Sequence, residues 1–416
     1  MLRPVCMGLL FALLAGPAAA ENWPAWRGPN RNGHSGETEV PTVWSKTENV
    51  RWKAKLPMAG NSTPIIWENR IFLTQCLDKG GHKRALICFD RKDGSELWRK
   101  VVDYKENEPT HKTNPYCSAS PLTDGKRVII SHGSAGMFCY DFDGNEKWKV
   151  DLGRLYHIWG NASSPIFYGD LVILWCGPGE RQFLLAVNKE TGKEVWKTNI
   201  PGGNNGKDRS NWLGSWSTPI IITVNERDEM IVPISKQVKA FDPKTGKELW
   251  SCDGLGPLVY TSAVASKDGI VVAMAGYGGA ALAVKAGGNG DVTKTHRLWL
   301  HKQRNPQRIG SGVVVGQHLY MLSTPGQAQC FELQTGNEVW KRKKVGDDQN
   351  WSNMVVVGDT IYVVNTGGDC FLFDASPKFA LKGTNSIGEL VRGSIAISNG
   401  ELFIRSYNHL WCIAED

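Results

Sequence analysis

The 416-residue chain has no apolar run long enough to cross a bilayer. Its one sustained apolar stretch, from Val5 to Leu14, is too short for a membrane helix. That stretch follows Arg3 and leads into Ala-Gly-Pro-Ala-Ala-Ala before Glu21, the pattern of a secretory leader cut after Ala20. No Cys follows closely, so no lipid-attachment site is expected. The reading is a monomer without a transmembrane segment, periplasmic or secreted. C-x-x-C and H-x-x-H pairs are absent, which excludes the usual structural zinc sites. C-x-x-C-H and adjacent Cys-Cys are absent too. Gly276–Gly279 and Gly287–Gly290 are glycine-rich, but no helix follows to make a phosphate loop. Charge of one sign is also scarce. Against 48 Lys and Arg stand 41 Asp and Glu, a net +7 of which one leaves with the leader. Apart from Lys341–Lys344 the charges are interspersed, and nucleic-acid binding is excluded on that ground.

What the chain has in abundance is a repeat. A-F-D-P-K-T-G-K-E-L-W spans Ala240 to Trp250, and A-V-N-K-E-T-G-K-E-V-W spans Ala186 to Trp196. C-F-E-L-Q-T-G-N-E-V-W follows at Cys330 to Trp340, and weaker copies end at Trp98, Trp148 and Trp299. The apolar residues before the acidic position end one short strand, the Thr-Gly or Asp-Gly turns the chain, and E-x-W starts the return strand. One Trp per hairpin should pack against the neighbouring copy. Cys88, Cys139, Cys330 and Cys412 occupy the strand position that Ala186, Ala240 and Ala283 fill elsewhere, so they read as small buried apolar residues. Cys76, Cys117, Cys176, Cys252 and Cys370 remain, with room for one or two bridges among them.

Eight units open on small residues: Ser62-Thr63, Ala119-Ser120, Ser163-Ser164, Ser217-Thr218, Ser262-Ala263, Ser311-Gly312, Ser352-Asn353 and Gly393-Ser394. Four short strands per unit of this length make the blade of a β-propeller. Small residues suit the first strand of each blade, because eight such strands converge on the axis. The expected architecture is all-β, an eight-bladed propeller over residues 50–416 after a leader at 1–20 and an arm at 21–49. The arm carries Trp23, Trp26 and Trp44 and should pack on the propeller. The eighth unit runs out after three strands, so Val50–Leu56 should complete it and close the ring. The seventh departs most, with Lys378–Lys382 where E-x-W belongs.

The A-x-D-x-x-T-G-x-E-x-W motif resembles the tryptophan-docking motif of the pyrroloquinoline quinone (PQQ) repeat superfamily. That superfamily of eight-bladed propellers includes quinoprotein alcohol dehydrogenases and the outer-membrane assembly lipoprotein BamB. The arm, with W-x-x-W-R-G-P-x-R-x-G from Trp23 to Gly33, is similar to that of secreted PQQ-like propeller proteins of planctomycetes. The resemblance spans the mature chain and implies a fold more than a chemistry. A quinoprotein would imply PQQ with calcium held by Glu, Asn and Asp, an Asp base, and in many members a Cys-Cys ring. This sequence has no Cys-Cys. Its carboxylates near the funnel, Asp347, Asp348 and Glu389, are not grouped with a ligating Asn, so no catalytic residue, cofactor or metal is assigned.

Propeller ligands sit where loops lead into the innermost strands. That ring reads Asn61, Asn161, Trp216, Tyr260, Arg308, Asn350, Trp351 and Arg392. The longer inbound loops add His111, Tyr116, His157, Trp159, Arg209 and Trp212. Aromatic rings among Arg, Asn and His suit a flat anionic or sugar-like ligand. The same residues could equally plug the channel mouth. Two functions follow: a non-enzymatic module that offers its loop face to a protein or cell-envelope partner, or a propeller with a small-molecule site in its funnel, either PQQ-dependent and oxidoreductase-like or carbohydrate-binding. An open apolar-walled pocket at the axis favours the second, a loop-filled plug the first. His111 and His157 share a loop class in consecutive blades and could face each other across the funnel.

Overall fold

The computed structural model describes residues 21–204, 211–302 and 308–415. Eight antiparallel four-strand units are arranged as successive blades, and no α-helix occurs among the described residues. Blade 1 runs Ile65–Trp67, Arg70–Cys76, Lys83–Asp90 and Glu96–Asp103, with the first strand at the axis and the last at the rim. Blade 8 takes three strands from Ala396–Ser398, Glu401–Arg405 and His409–Ile413, and its fourth from Val50–Lys55. Trp52 pairs with Cys412 and Lys55 with His409, so the two ends of the propeller share one sheet. Ring closure leaves no open first or last blade.

The indoles lock neighbouring blades. In each hairpin the small strand residue faces the Trp: Cys88 opposite Trp98, Ala186 opposite Trp196, Cys330 opposite Trp340. Each of five indoles then lies over the turn glycine of the next blade. Trp52 covers Gly94, Trp98 Gly144, Trp148 Gly192, Trp196 Gly246 and Trp299 Gly336. Their Nε1 groups donate to backbone oxygens of those same turns, 2.8 to 3.2 Å away. The glycine of Thr-Gly therefore does two jobs at Gly246: it adopts φ +69°, and it leaves room for an indole that a Cβ would meet at 2.4 Å.

Two copies depart from this rule. Trp250 is fully buried and donates to Glu229 at 2.7 Å, because the blade-5 turn extends outward. There Gly290–Asp291 adds a fifth strand to the sheet of blade 4. In blade 7 Phe379 packs on Trp340, ring centres 5.0 Å apart, and fills the place the missing motif leaves.

Apolar cores lie between blades; one joins blades 1, 7 and 8 with Trp23 and Trp44 of the arm. All nine described cysteines are free and buried, so the bridges left open for Cys76, Cys117, Cys176, Cys252 and Cys370 do not form. Burial raises the Cys139 and Cys330 thiols to about 12.

The small residues at the axis are more than a steric accommodation. Thr63 N–H donates to Ser120 Oγ (2.8 Å), Ser120 to Ser164 (2.9 Å), Ser164 to Thr218 (3.0 Å) and Thr218 to Ser262 (2.7 Å). Ser262 donates to Ser311 (3.0 Å), Ser311 to Asn353 Oδ1 (2.8 Å), Asn353 to Ser394 (3.0 Å) and Ser394 back to Thr63 (3.1 Å). A closed circuit of backbone-to-side-chain hydrogen bonds, one per blade, encircles the channel. It satisfies eight buried amide groups that no strand partner reaches.

Candidate functional site: a floored axial funnel

The arm crosses the face opposite the inbound loops, touching the far ends of the innermost strands. Trp23 exchanges both backbone hydrogen bonds with Ile66, and Pro24 accepts from Thr123 N–H. Arg31 donates to Phe167 O, His34 bonds Val314 O, and His34–Ser35 pairs in parallel with Val355–Val357. Arg27 is buried, its Nη2 bridging Asn32 O (2.7 Å) and Gly312 O (2.6 Å). Burial lowers its pKa to about 9, which leaves it cationic at neutral pH. Held in this way, the arm turns Trp26 into the channel as the floor of a cavity of about 730 Å³ that opens among the inbound loops.

One wall of that cavity is aromatic. Trp159 comes from the loop into blade 3, Trp212 and Trp216 from that into blade 4, and Tyr260 from that into blade 5. Trp216 and Tyr260 stack with ring centres 4.9 Å apart and planes 8° from parallel. The platform is rigid because its two loops pair as strands, Gly214–Ser215 beside Leu258–Val259. Trp216 also donates N–H to Val259 O and Nε1 to Gly160 O, at 2.9 and 2.8 Å. Trp159 leans on Trp212 and Trp216, and Tyr277 meets Tyr260 edge-on.

The remaining walls are polar. Asn61 Nδ2 donates to Thr113 O (2.9 Å), His111 Nδ1 meets Thr113 Oγ1 (2.7 Å), and Asn114 Nδ2 donates to Trp159 O (2.7 Å). Gln349 accepts from Trp351 Nε1, and Arg392 lies over the Trp351 and Tyr407 rings. Members of the hydroxyl circuit, among them Ser164, Thr218 and Ser262, line the lower part. No Asp or Glu appears among the described lining residues.

Of the candidates read from the sequence, Asn61, His111, Trp159, Trp212, Trp216, Tyr260, Trp351 and Arg392 line this one cavity. Five others lie outside its wall. His157 is fully buried behind Trp159 and Trp216, 5.1 Å from the latter, and burial lowers its pKa to about 4. It therefore does not face His111 across the funnel, and no group of three metal-ligating side chains occurs among the described residues. Tyr116 hydrogen-bonds Glu108 O at 2.5 Å and covers Arg84, while Asn161 bonds Glu108 Oε1 at 3.0 Å. Arg308 is buried on Gln329 and Phe331, and Asn350 ties Leu322 O to Ser352 O. Arg209 lies outside the described residues.

Several lining residues escaped the sequence reading, among them Trp26, Tyr277 and the polar Thr113, Asn114 and Gln349. Trp26 belongs to an arm without a period, and Tyr277 sits in the turn between the second and third strands of blade 5. The Trp-x-x-Trp spacing of the arm was the one available signal for Trp26.

The sequence profile of the family described as outer membrane protein assembly factor BamB matches residues 45–222 and 143–378. The chain belongs to the BamB family. Across 284 residues it is 23% identical to BamB of Burkholderia pseudomallei, covering 68% of this chain and 67% of that protein. It is 26% identical to the tetrathionate hydrolase of Acidithiobacillus ferrooxidans over 136 residues, about a third of this chain and only 26% of the hydrolase. BamB from Moraxella catarrhalis superposes with a TM-score of 0.60 at 14% identity, over 91% of this chain and 98% of that one. The quinohemoprotein alcohol dehydrogenase from Comamonas testosteroni superposes with a TM-score of 0.69 at 10% identity, over 95% and 81%. These structural likenesses speak for the fold alone. The site of this BamB-family chain does not fit calcium-bound PQQ: a hard dication needs anionic oxygen ligands, and the described walls offer amides, hydroxyls and indoles but no carboxylate.

Proposed function

We propose that this protein is a non-catalytic binding module of the cell envelope whose axial funnel takes a saccharide. The observation that carries the reading is the two-sided cavity. A fixed Trp216–Tyr260 platform stands on one side, and on the others are the amides and hydroxyls of Asn61, Thr113, Asn114, Gln349 and the axial circuit. A pyranose has the same two sides, a C–H face that packs on aromatic rings and an edge of hydroxyls that both donate and accept. The volume suits one or two sugar rings. Calorimetric titration of the mature protein with a panel of neutral and acidic oligosaccharides tests the proposal. Binding that weakens at least about tenfold in Trp216→Ala and Trp351→Ala supports it, as burial of one aromatic face predicts. Absence of heat and of any thermal shift across the whole panel rejects it.

A second reading rests on family membership. The Burkholderia and Moraxella relatives carry the name of an outer membrane protein assembly factor or of BamB, which favours a protein partner at the loop face. Recovery of a defined envelope protein that is lost with Trp351→Ala and Arg392→Ala would favour that reading. Recovery unaffected by either substitution places the contact away from the funnel.

A further inference from the structure

Arg392 is the one side chain of the funnel wall, among the described residues, that carries a permanent positive charge, and it has no counter-ion there. Its guanidinium stacks on Trp351 at 5.1 Å and on Tyr407 at 5.2 Å. Nη1 donates to Tyr407 Oη, and Nε is buried without a partner. No carboxylate among the described residues lies within ion-pairing distance, and Nη2 has no protein acceptor there. The ion pairs nearest in sequence are occupied elsewhere: Glu389 is held by His409 and Ser406. A guanidinium clamped between two rings has little rotamer freedom left to lose. Its planar fork matches a planar carboxylate end-on. Neither Lys nor a second Arg stands beside it in the wall, so it balances one negative charge and not the two of a phosphate monoester. Arg392 leads into blade 8, across the axis from the Trp216–Tyr260 platform, which leads into blades 4 and 5. Arg392 and the platform line the same cavity, so a ligand seated in it meets both walls.

We infer that the funnel selects a hexuronic acid residue, its sugar ring on the aromatic platform and its carboxylate on Arg392. This rests on the saccharide reading above and adds the charge of the ligand. The experiment is calorimetric titration of the full mature chain with di- and trisaccharides of galacturonic, glucuronic and mannuronic acid. Each is compared with its own methyl ester, which keeps shape and loses charge. Benzoate serves as a flat carboxylate without hydroxyls.

The expected result is at least one acid binding tenfold or more tighter than its ester, with that preference shrinking as salt is raised. In Arg392→Gln the acid's advantage over its own ester should shrink to within about twofold, whatever the change in the ester's own affinity. Arg392→Lys, which keeps the charge without the fork, should lie between. The acid-to-ester comparison on the unmodified protein needs no variant and decides the matter if Arg392→Gln does not fold. Esters or neutral sugars binding as well as the acids would overturn the charge assignment and leave the saccharide reading standing. Benzoate binding as tightly as the uronides would overturn the sugar part. No binding by any saccharide would overturn both.

Discussion

His157 and His132 show how the packing of single side chains sets a condition on the whole molecule. Both rings are buried, and desolvation lowers their pKa values from 6.5 to about 4 and about 3. The unfolded chain takes up these protons first, so the stabilising contribution of the neutral rings is complete above about pH 6.5 and is lost as the pH falls toward 4. His157 alone accounts for a loss on the order of 3 kcal/mol over that interval. Thermal melts from pH 7 to pH 4 should show a steep fall, less steep in His157→Gln at its own lower baseline. A flat profile would contradict the burial assigned to these rings. Because His157 stays neutral in the folded protein down to about pH 4, the wall it backs at Trp159 and Trp216 should keep its ligand affinity across this window even as stability falls. Trp196 and Gly246 make a second test at this scale. Trp196→Ala should cost about 3 kcal/mol or more, and Gly246→Ala should be nearly as damaging, since its Cβ would lie 2.4 Å from the indole. Gly169→Ala, at φ +55° with open space around it, should cost only about 1 kcal/mol of backbone strain. Equal effects at both glycines in chemical denaturation would remove the docking role.

At the level of elements, the blades were legible because their signals are local. Alternating apolar residues, a Thr-Gly turn and E-x-W repeat with little interference, and the orphan strand around Trp52 had one vacancy to fill beside Cys412. Direction within a loop is a different matter. The positions of Tyr116, Asn161, Arg308 and Asn350 put their backbones at the mouth. Partners such as Glu108, Gln329 and Leu322 O then turn the side chains away; for Asn161, Arg308 and Asn350 these come from other strands or blades, and for Tyr116 from earlier in its own loop. The hydroxyl circuit was likewise visible as smallness but not as chemistry, since its bonds join residues about 40 to 57 positions apart, and 331 at the closure. Ser164→Ala should strand the Ser120 amide and cost about 1–3 kcal/mol, where Ser164→Thr, which keeps the acceptor, should cost clearly less. Equal losses in urea titrations would mean that size alone is at stake. The cysteines give a simpler check: with every described thiol buried, thiol reagents should label none at neutral pH until the propeller is unfolded.

For the whole molecule, a channel becomes a binding cavity only because something closes one end. The arm does this with Trp26, anchored by Arg27 at the axis and by Arg31, His34 and Trp23 on the surrounding blades. Truncation of residues 21–36 removes Trp23 from the shared core and should lower the melting temperature as well as abolish saccharide binding. Trp26→Ala should weaken binding without altering the stoichiometry. The aromatic wall, the hydroxyl circuit and Arg392 then act together on a ligand held over that floor. The most direct measurement is a crystal structure of the protein soaked with the tightest-binding uronide. A sugar ring on the Trp216–Tyr260 platform with its carboxylate at Arg392 is the predicted result. An empty funnel with the saccharide bound elsewhere, or a ring seated away from that platform, would contradict the account.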